Sequence, residues 1–302
     1  MKKRLLALAL ALTLCAALTP VFAAAGTENS GAPEADHFEL TTYRSTSVGG
    51  KLTATDPEGD PVSFKLTTEP MKGSVTIEPD GAFVHTPGDG KRDKDYFGYK
   101  AVDADGNESD EATVIISIEK AKSAPTYADM AGRAEAYAAA RLAEEAVFCG
   151  KTIAGTALFC PDETLSRGEF LAMCLAAAHE PILKDVRATG FGDDNAIPAW
   201  SKSYVSTGVL SGSIRGYATG SAVVFDAGRP ITRAEAAVML DRTFSPGGNV
   251  AASAMDVPDA VPAWAAQAVA RMTAASVYPA GADPDAQLTR AEAAQMLVNA
   301  MG

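Results

Sequence analysis

The chain is short of the residues that most active-site chemistry needs. Among 302 residues there are three histidines, His37, His85 and His179, so a histidine-rich metal centre has almost no material to draw on. The four cysteines, Cys15, Cys149, Cys160 and Cys174, show no paired Cys-x-x-Cys spacing that would suit zinc. Basic side chains are outnumbered, 26 against 38 acidic, for a formal net charge of -12. That balance offers no field for a phosphate backbone and argues against nucleic acid as a partner. There is no Gly-x-Ser-x-Gly elbow and no His-Glu-x-x-His pair. Gly150-Lys151-Thr152 could end a phosphate-binding loop, but Glu145 stands where its first glycine belongs. The chain therefore reads as non-enzymatic, with no cofactor required.

Long apolar runs are missing too. The run Leu5 to Leu18 falls short of the roughly 20 apolar residues a membrane-spanning helix needs. It follows Lys2, Lys3 and Arg4 and precedes Ala23-Ala24-Ala25, the pattern of a signal peptide over residues 1–25. The chain is thus expected to be secreted, with no membrane span after cleavage. Leu14 fills the place before Cys15 where a lipoprotein signal carries a small residue. The remaining three cysteines cannot all pair within one chain. Cys149 and Cys160 bracket a short loop that a disulfide could close or leave as two thiols, and Cys174, in an Ala-rich helical run, reads as a buried thiol.

Aromatics make up only 7% of the residues, yet 47% are hydrophobic, enough to build two or three cores from mostly small side chains. Between Phe38 and Ile118 the apolar residues alternate in short runs: Val62 to Leu66, Val75 to Ile77, Phe83-Val84, Tyr96 to Val102 and Val114 to Ile118. Period-two patterning with β-branched residues signals strands, and Asp/Gly/Pro turns separate them. About seven strands without a helical period predict an immunoglobulin-like sandwich over residues 35–119, after a linker at 26–34. Its turns Asp56-Pro57-Glu58-Gly59-Asp60 and Asp103-Ala104-Asp105-Gly106, with the strand Tyr96-Phe97-Gly98-Tyr99, resemble bacterial cadherin-like and Ig-like surface modules.

Those turns leave two readings open. In this topology both lie at one end of the sandwich, so Asp56, Glu58, Asp60, Asp103 and Asp105 are candidate oxygen ligands for calcium, which takes six to eight. The other reading is that tight turns select Asp and Gly and leave the carboxylates solvated.

A linker, residues 120–126, leads to a different kind of sequence, Ala-rich and internally repeated. Leu165-Ser166-Arg167-Gly168-Glu169, Ile231-Thr232-Arg233-Ala234-Glu235 and Leu288-Thr289-Arg290-Ala291-Glu292 align, each followed by a helical run. Ser/Thr-x-x-Glu is a capping box, so Ser166, Thr232 and Thr289 start helices that Glu169, Glu235 and Glu292 complete. Capping leaves the arginine unexplained. A cation at the first helical position sits on the positive end of the macrodipole, which asks either for an external anion or for an internal acidic partner. Upstream, Tyr137, Trp200 and Trp264 follow Asp129, Asp193 and Asp256 by seven or eight residues.

The order of acid, aromatic, Gly-rich turn (Leu210 to Gly216) and Thr-Arg-Ala-Glu resembles the S-layer homology domain in three tandem copies, residues 127–182, 185–246 and 250–302. The resemblance implies an all-α pseudo-threefold bundle of helix-loop-helix repeats behind the all-β sandwich. It further implies grooves that bind an anionic, commonly pyruvylated, secondary cell wall polymer or peptidoglycan-linked glycan. By motif position Arg167, Arg233 and Arg290 would hold the anion, with Arg233 in the most complete copy. Trp200, Trp264 and Tyr137 would line the groove or pack the core. Asp193 and Asp256 would bond sugar hydroxyls or buttress loops, and Gly212 and Gly216 would let backbone approach the ligand. Function then reads as non-covalent wall anchoring with display of the Ig-like module, the alternative being a calcium-stiffened adhesin acting through that module on an unknown ligand.

Overall fold

The computed structural model describes residues 31–244 and 260–302; the signal-peptide region at 1–25 and Asp256 lie outside the described residues. The N-terminal part is a two-sheet sandwich. Its strands are β1 (Glu34–Ala35), β2 (Phe38–Tyr43), β3 (Val48–Lys51), β4 (Ala54–Thr55), β5 (Ser63–Thr68), β6 (Gly73–Ile77), β7 (Ala82–Pro87), β8 (Asp93–Val102) and β9 (Ala112–Glu119). One sheet runs β2-β9-β8-β5 and the other β3-β7-β6, while β1 and β4 form a separate pair. β2 joins β9 in parallel, with Phe38 opposite Val114, whereas β8 runs antiparallel to both of its neighbours.

The alternation read from sequence becomes the inward face. Along β9, Ala112, Val114, Ile116 and Ile118 are buried in turn. They meet Phe83 and Phe97, whose rings stack edge to face at 5.2 Å. Burying side chains of this size stabilises by about 1.5–3 kcal/mol each. The Tyr99 hydroxyl donates to the Asp36 carbonyl at 2.6 Å, with the Thr53 carbonyl at 3.1 Å, and so ties the β1–β4 pair to the core. Burial pushes its pKa up to about 12. β3, Val48-Gly49-Gly50-Lys51, carried no alternating signal, because its glycines make room for neighbours: a Cβ on Gly50 would fall 2.7 Å from the Phe83 ring.

The C-terminal part holds α1 (Ala136–Glu144), α2 (Arg167–Ala177), α3 (Lys202–Ser211), α4 (Arg233–Phe244), α5 (Ala266–Ala274) and α6 (Arg290–Met301). It is not all-α. Two hairpins interrupt it, β10 (Lys151–Ile153) with β11 (Thr156–Leu158), and β12 (Tyr217–Thr219) with β13 (Ala222–Val224). Strands of three residues are too short to show a period. Their turns follow hairpin rules, with positive φ at both Ala154 and Gly155 in the first and at Gly220 opening the second.

Helices α2, α4 and α6 begin at one place. Leu165 N donates to Leu288 O (3.1 Å), Leu288 N to Ile231 O (2.9 Å) and Ile231 N to Leu165 O (3.0 Å), a closed ring of three backbone bonds between fully buried residues. Each helix start is completed by the next segment around the ring. Arg167 N and Gly168 N donate to Arg229 O and Ala227 O, both at 2.9 Å. Arg233 N and Ala234 N reach Ala286 O and Pro284 O at 3.0 Å, and Arg290 N and Ala291 N reach Glu163 O (2.8 Å) and Pro161 O (2.9 Å). The third amide of each helix goes to its cap hydroxyl, on Ser166, Thr232 or Thr289, at 3.3 Å. The cap amides in turn donate to Glu169, Glu235 and Glu292 at 2.8, 3.1 and 2.9 Å. Phe159, Phe170 and Phe225 fill the core beneath.

The sandwich rests on α1. Gly49 N donates to Ala134 O at 2.9 Å and Tyr137 N to Ser47 O at 3.0 Å. Tyr137 packs edge to face on Tyr43 at 5.1 Å, and the Tyr43 hydroxyl donates to Glu144. A Cβ on Gly49 would fall 2.3 Å from that of Ala134. Gly49→Ala is therefore expected to cost roughly 1–3 kcal/mol by overpacking this contact, read as a lower urea midpoint; an unchanged midpoint would show that the contact yields freely.

Candidate arginine-lined groove

Arg167 at the start of α2, the turn from Ser213 to Tyr217 that enters β12, the stretch of α4 from Glu235 to Arg242 and Trp264 line an open cavity of about 440 Å³. Four arginines line it, Arg167, Arg215, Arg229 and Arg242, against one carboxylate, Glu235. In a chain of net charge -12 this concentration of positive charge is local and specific.

Arg167 is held from all sides. It is 7% exposed, its Nε donates to Phe225 O at 2.9 Å, and its Nη1 lies 3.0 Å from Glu235 Oε1. Its guanidinium sits over the Phe225 ring at 5.0 Å. Burial alone would raise the pKa of Glu235, but the hydrogen bond from Arg229 and the charge of Arg167 outweigh it, so the carboxylate ends below its ordinary value of 4.5. Arg290 is anchored similarly, donating to Phe159 O at 2.9 Å and pairing with Glu163 at 2.6 Å over the Phe148 ring. Arg233 donates to Asp283 O at 3.4 Å and pairs with Glu292. Each of the three arginines at the helix starts thus has an internal carboxylate partner. Because the first three amides of each helix are also engaged, these helix ends present no free backbone donors to an anion.

The other residues singled out by sequence separate. Trp264 lines the cavity and is 60% exposed; Trp200 is 52% exposed beside Tyr204, so neither is a core side chain. Tyr137, aligned with them by spacing, faces Tyr43 of the sandwich. Asp193 buttresses a loop, accepting from Phe225 N and Asp226 N at 3.1 and 2.7 Å, and Asp129 does the same for Phe159 N and Cys160 N at 2.9 and 2.7 Å. Gly216 is explained by the hairpin, where a Cβ would fall 2.6 Å from Val224 O, and Gly212 ends α3 in the left-handed conformation. Cys149 and Cys160 are not joined by a disulfide in the structure, and Cys174 is fully buried, which pushes its thiol pKa well up.

On the sandwich, Asp56, Glu58 and Asp60 place ligand oxygens within 4.8 Å of one another. Asp56 Oδ1 accepts from Glu58 N and Asp60 N at 2.9 Å, while its buried Oδ2 has no hydrogen-bond partner among the described residues. The second loop does reach this end, since a Cβ on Gly31 would lie 3.2 Å from Glu58 Oε2 and 3.7 Å from Asn107 Nδ2. Its carboxylates do not join the cluster. Asp103 directs both oxygens at Asn107, each at 2.8 Å, and Asp105 stands apart from the triplet. The expected group of five is a group of three among the described residues.

Sequence reasoning passed over Arg215, Arg229 and Arg242. No spacing rule joins a turn residue, a loop residue and a residue near a helix end; only folding brings them to one cavity.

Comparison with known proteins places two domains on this geometry. Residues 190–237, which supply the hairpin and the start of α4, match the S-layer homology domain. Residues 30–120 match the bacterial cadherin-like domain. Among solved structures, an endo-fucoidan hydrolase of glycoside hydrolase family 107 is 18% identical over 32% of this chain at a TM-score of 0.26, and the match spans 14% of that enzyme. The CbhA fibronectin(III)-like modules of Clostridium thermocellum (17% identity, 30% of this chain, 49% of that one, TM-score 0.22) and the SrpA adhesin of Streptococcus sanguinis (16%, 32%, 64%, 0.23) are similar at the same level. No curated protein matches the chain. None of the described helices is long and apolar enough to cross a membrane.

Glu235→Gln would leave the buried Arg167 charge without its partner, at an expected cost of about 3 kcal/mol. Because the carboxylate pKa is lowered in the fold, its contribution is present above the ordinary value of 4.5 and is lost as pH falls through the lowered value. Urea midpoints of the wild type and Glu235→Gln should therefore differ at neutral pH and converge on acidification; equal midpoints at neutral pH would refute the pairing as a support of the groove.

Proposed function

We propose that the protein is a non-enzymatic cell-surface protein whose helical part holds it to the wall without a covalent bond while the sandwich is displayed. The observation that carries this reading is the coincidence of the S-layer homology match with the segment that walls the arginine-lined cavity. In this reading the helical part is three such repeats in pseudo-threefold arrangement. The ring of bonds among Leu165, Ile231 and Leu288, the three capping boxes and the matched roles of Asp129 and Asp193 support it. The ligand is an anionic secondary cell wall polymer or peptidoglycan-linked glycan. Long-range attraction does not drive the contact, since an acidic chain and an acidic polymer repel overall; discrete cationic sites do.

The purified chain should pellet with native sacculi and stay in solution once acid extraction has removed the non-peptidoglycan polymer. Pelleting with both preparations would move the ligand to peptidoglycan itself, and pelleting with neither would remove the anchoring reading.

A second reading, an adhesin stiffened by calcium, draws on the triplet Asp56, Glu58 and Asp60 with its unpartnered Asp56 oxygen. Under it, millimolar calcium raises the melting temperature of the wild type and leaves Asp56→Asn unmoved. Equal behaviour of the two proteins would return the triplet to solvated turn residues.

A further inference from the structure

Of the four arginines in the groove, two are committed. Arg167 and Arg229 share Glu235, and Arg229 also pairs with Asp226 at 3.3 Å. The carboxylate next to Arg242 in the chain, Asp241, is buried and engaged by Arg271. Arg215 and Arg242 are left over. Among the described residues neither forms a hydrogen bond or ion pair, although both line the same cavity as Trp264. Burial lowers the pKa of Arg242, and the like charge of Arg215 lowers it further against the opposing charge of Asp241. The structure thus gathers two guanidiniums at one concave surface, and among the described residues no carboxylate pairs with either.

We infer that Arg215 and Arg242 form the anion-holding subsite of this groove, taking a carboxylate or phosphate of an acidic glycan, while Arg167, Arg233 and Arg290 hold the helix starts together. The inference rests on the wall-polymer reading for the identity of the glycan, but not for the anion chemistry. An oxyanion seated here relieves the repulsion between the two cations and accepts charge-assisted, geometrically directed bonds from both. At Arg167, by contrast, an anion would have to displace Glu235 from a buried pair. Trp264 then stands beside the bound group with most of its surface free.

The chain has two tryptophans, so Trp200→Phe leaves Trp264 as a single reporter. In that background, titration with pyruvate and, separately, with inorganic phosphate at constant ionic strength should give a saturable fluorescence change for at least one anion; the preferred anion names the charged group of the glycan. Arg215→Gln and Arg242→Gln should each weaken the response roughly tenfold, as loss of one charge-assisted bond does. Lys184→Gln, an exposed lysine outside the cavity, should leave it unchanged. Melting temperatures confirm that the variants fold. No saturable response to either anion, or an undiminished response in the Arg215→Gln/Arg242→Gln double variant, would overturn the inference. Sacculus pelleting separates the two claims. Pelleting of the wild type without any saturable anion response removes the subsite and leaves anchoring intact, whereas an anion response without any pelleting removes wall anchoring and leaves the subsite.

Discussion

The helical half depends on the closed ring of backbone bonds among Leu165, Ile231 and Leu288. Each of these residues is fully buried, so each amide and carbonyl must find a protein partner, and the partner available is the next strand-like turn around the ring. The ring fixes where α2, α4 and α6 begin. It also carries the loops at 161–163, 227–229 and 284–286 to the amides of those first turns, so that each helix start is finished by a neighbouring segment rather than by water. None of the three helices could be capped in this way alone.

That arrangement accounts for the arginines. A cation at the first position of a helix is unfavourable by itself, but here it lies against carbonyls and a carboxylate brought by the neighbouring segment. Arg167 with Glu235, Arg233 with Glu292 and Arg290 with Glu163 are links between segments. The pairs are not identical: two use the capping glutamate of the next helix, while the third uses a loop residue ahead of α2. The three links therefore differ, and the cavity beside β12 also contains Arg215 and Arg242, which form no ion pair among the described residues.

The sandwich is joined to this bundle through specific contacts. Gly49, Ser47 and Tyr43 meet Ala134, Tyr137 and Glu144 through backbone bonds, ring packing and a hydroxyl-to-carboxylate bond. Burial and the bond to Glu144 both push the Tyr43 pKa up, keeping the hydroxyl protonated and donating. The aromatic of the first segment serves the junction, whereas Trp264, aligned with it by spacing, serves the groove.

Much was legible in the residues themselves. Alternation marked β5 to β9, because a half-buried strand must place every second side chain inward, and Ser/Thr-x-x-Glu marked three helix starts, because capping is local chemistry within four residues. Lost to sequence were β3, whose glycines answer to Phe83 and Ala134 across space, and the two hairpins, too short to show a period. The candidate groove divides the same way. Trp264 and Gly216, singled out from their motif positions, both line it, but whether an arginine is free or paired is not a property of its motif. Arg167, Arg233 and Arg290 acquire partners from other segments, while Arg215 and Arg242 pair with none of the described residues. Local order and capping follow from short-range sterics and hydrogen bonding, which the sequence determines by itself; the partner of a charge depends on which distant carboxylate the folded chain brings within reach, and only the tertiary structure decides that.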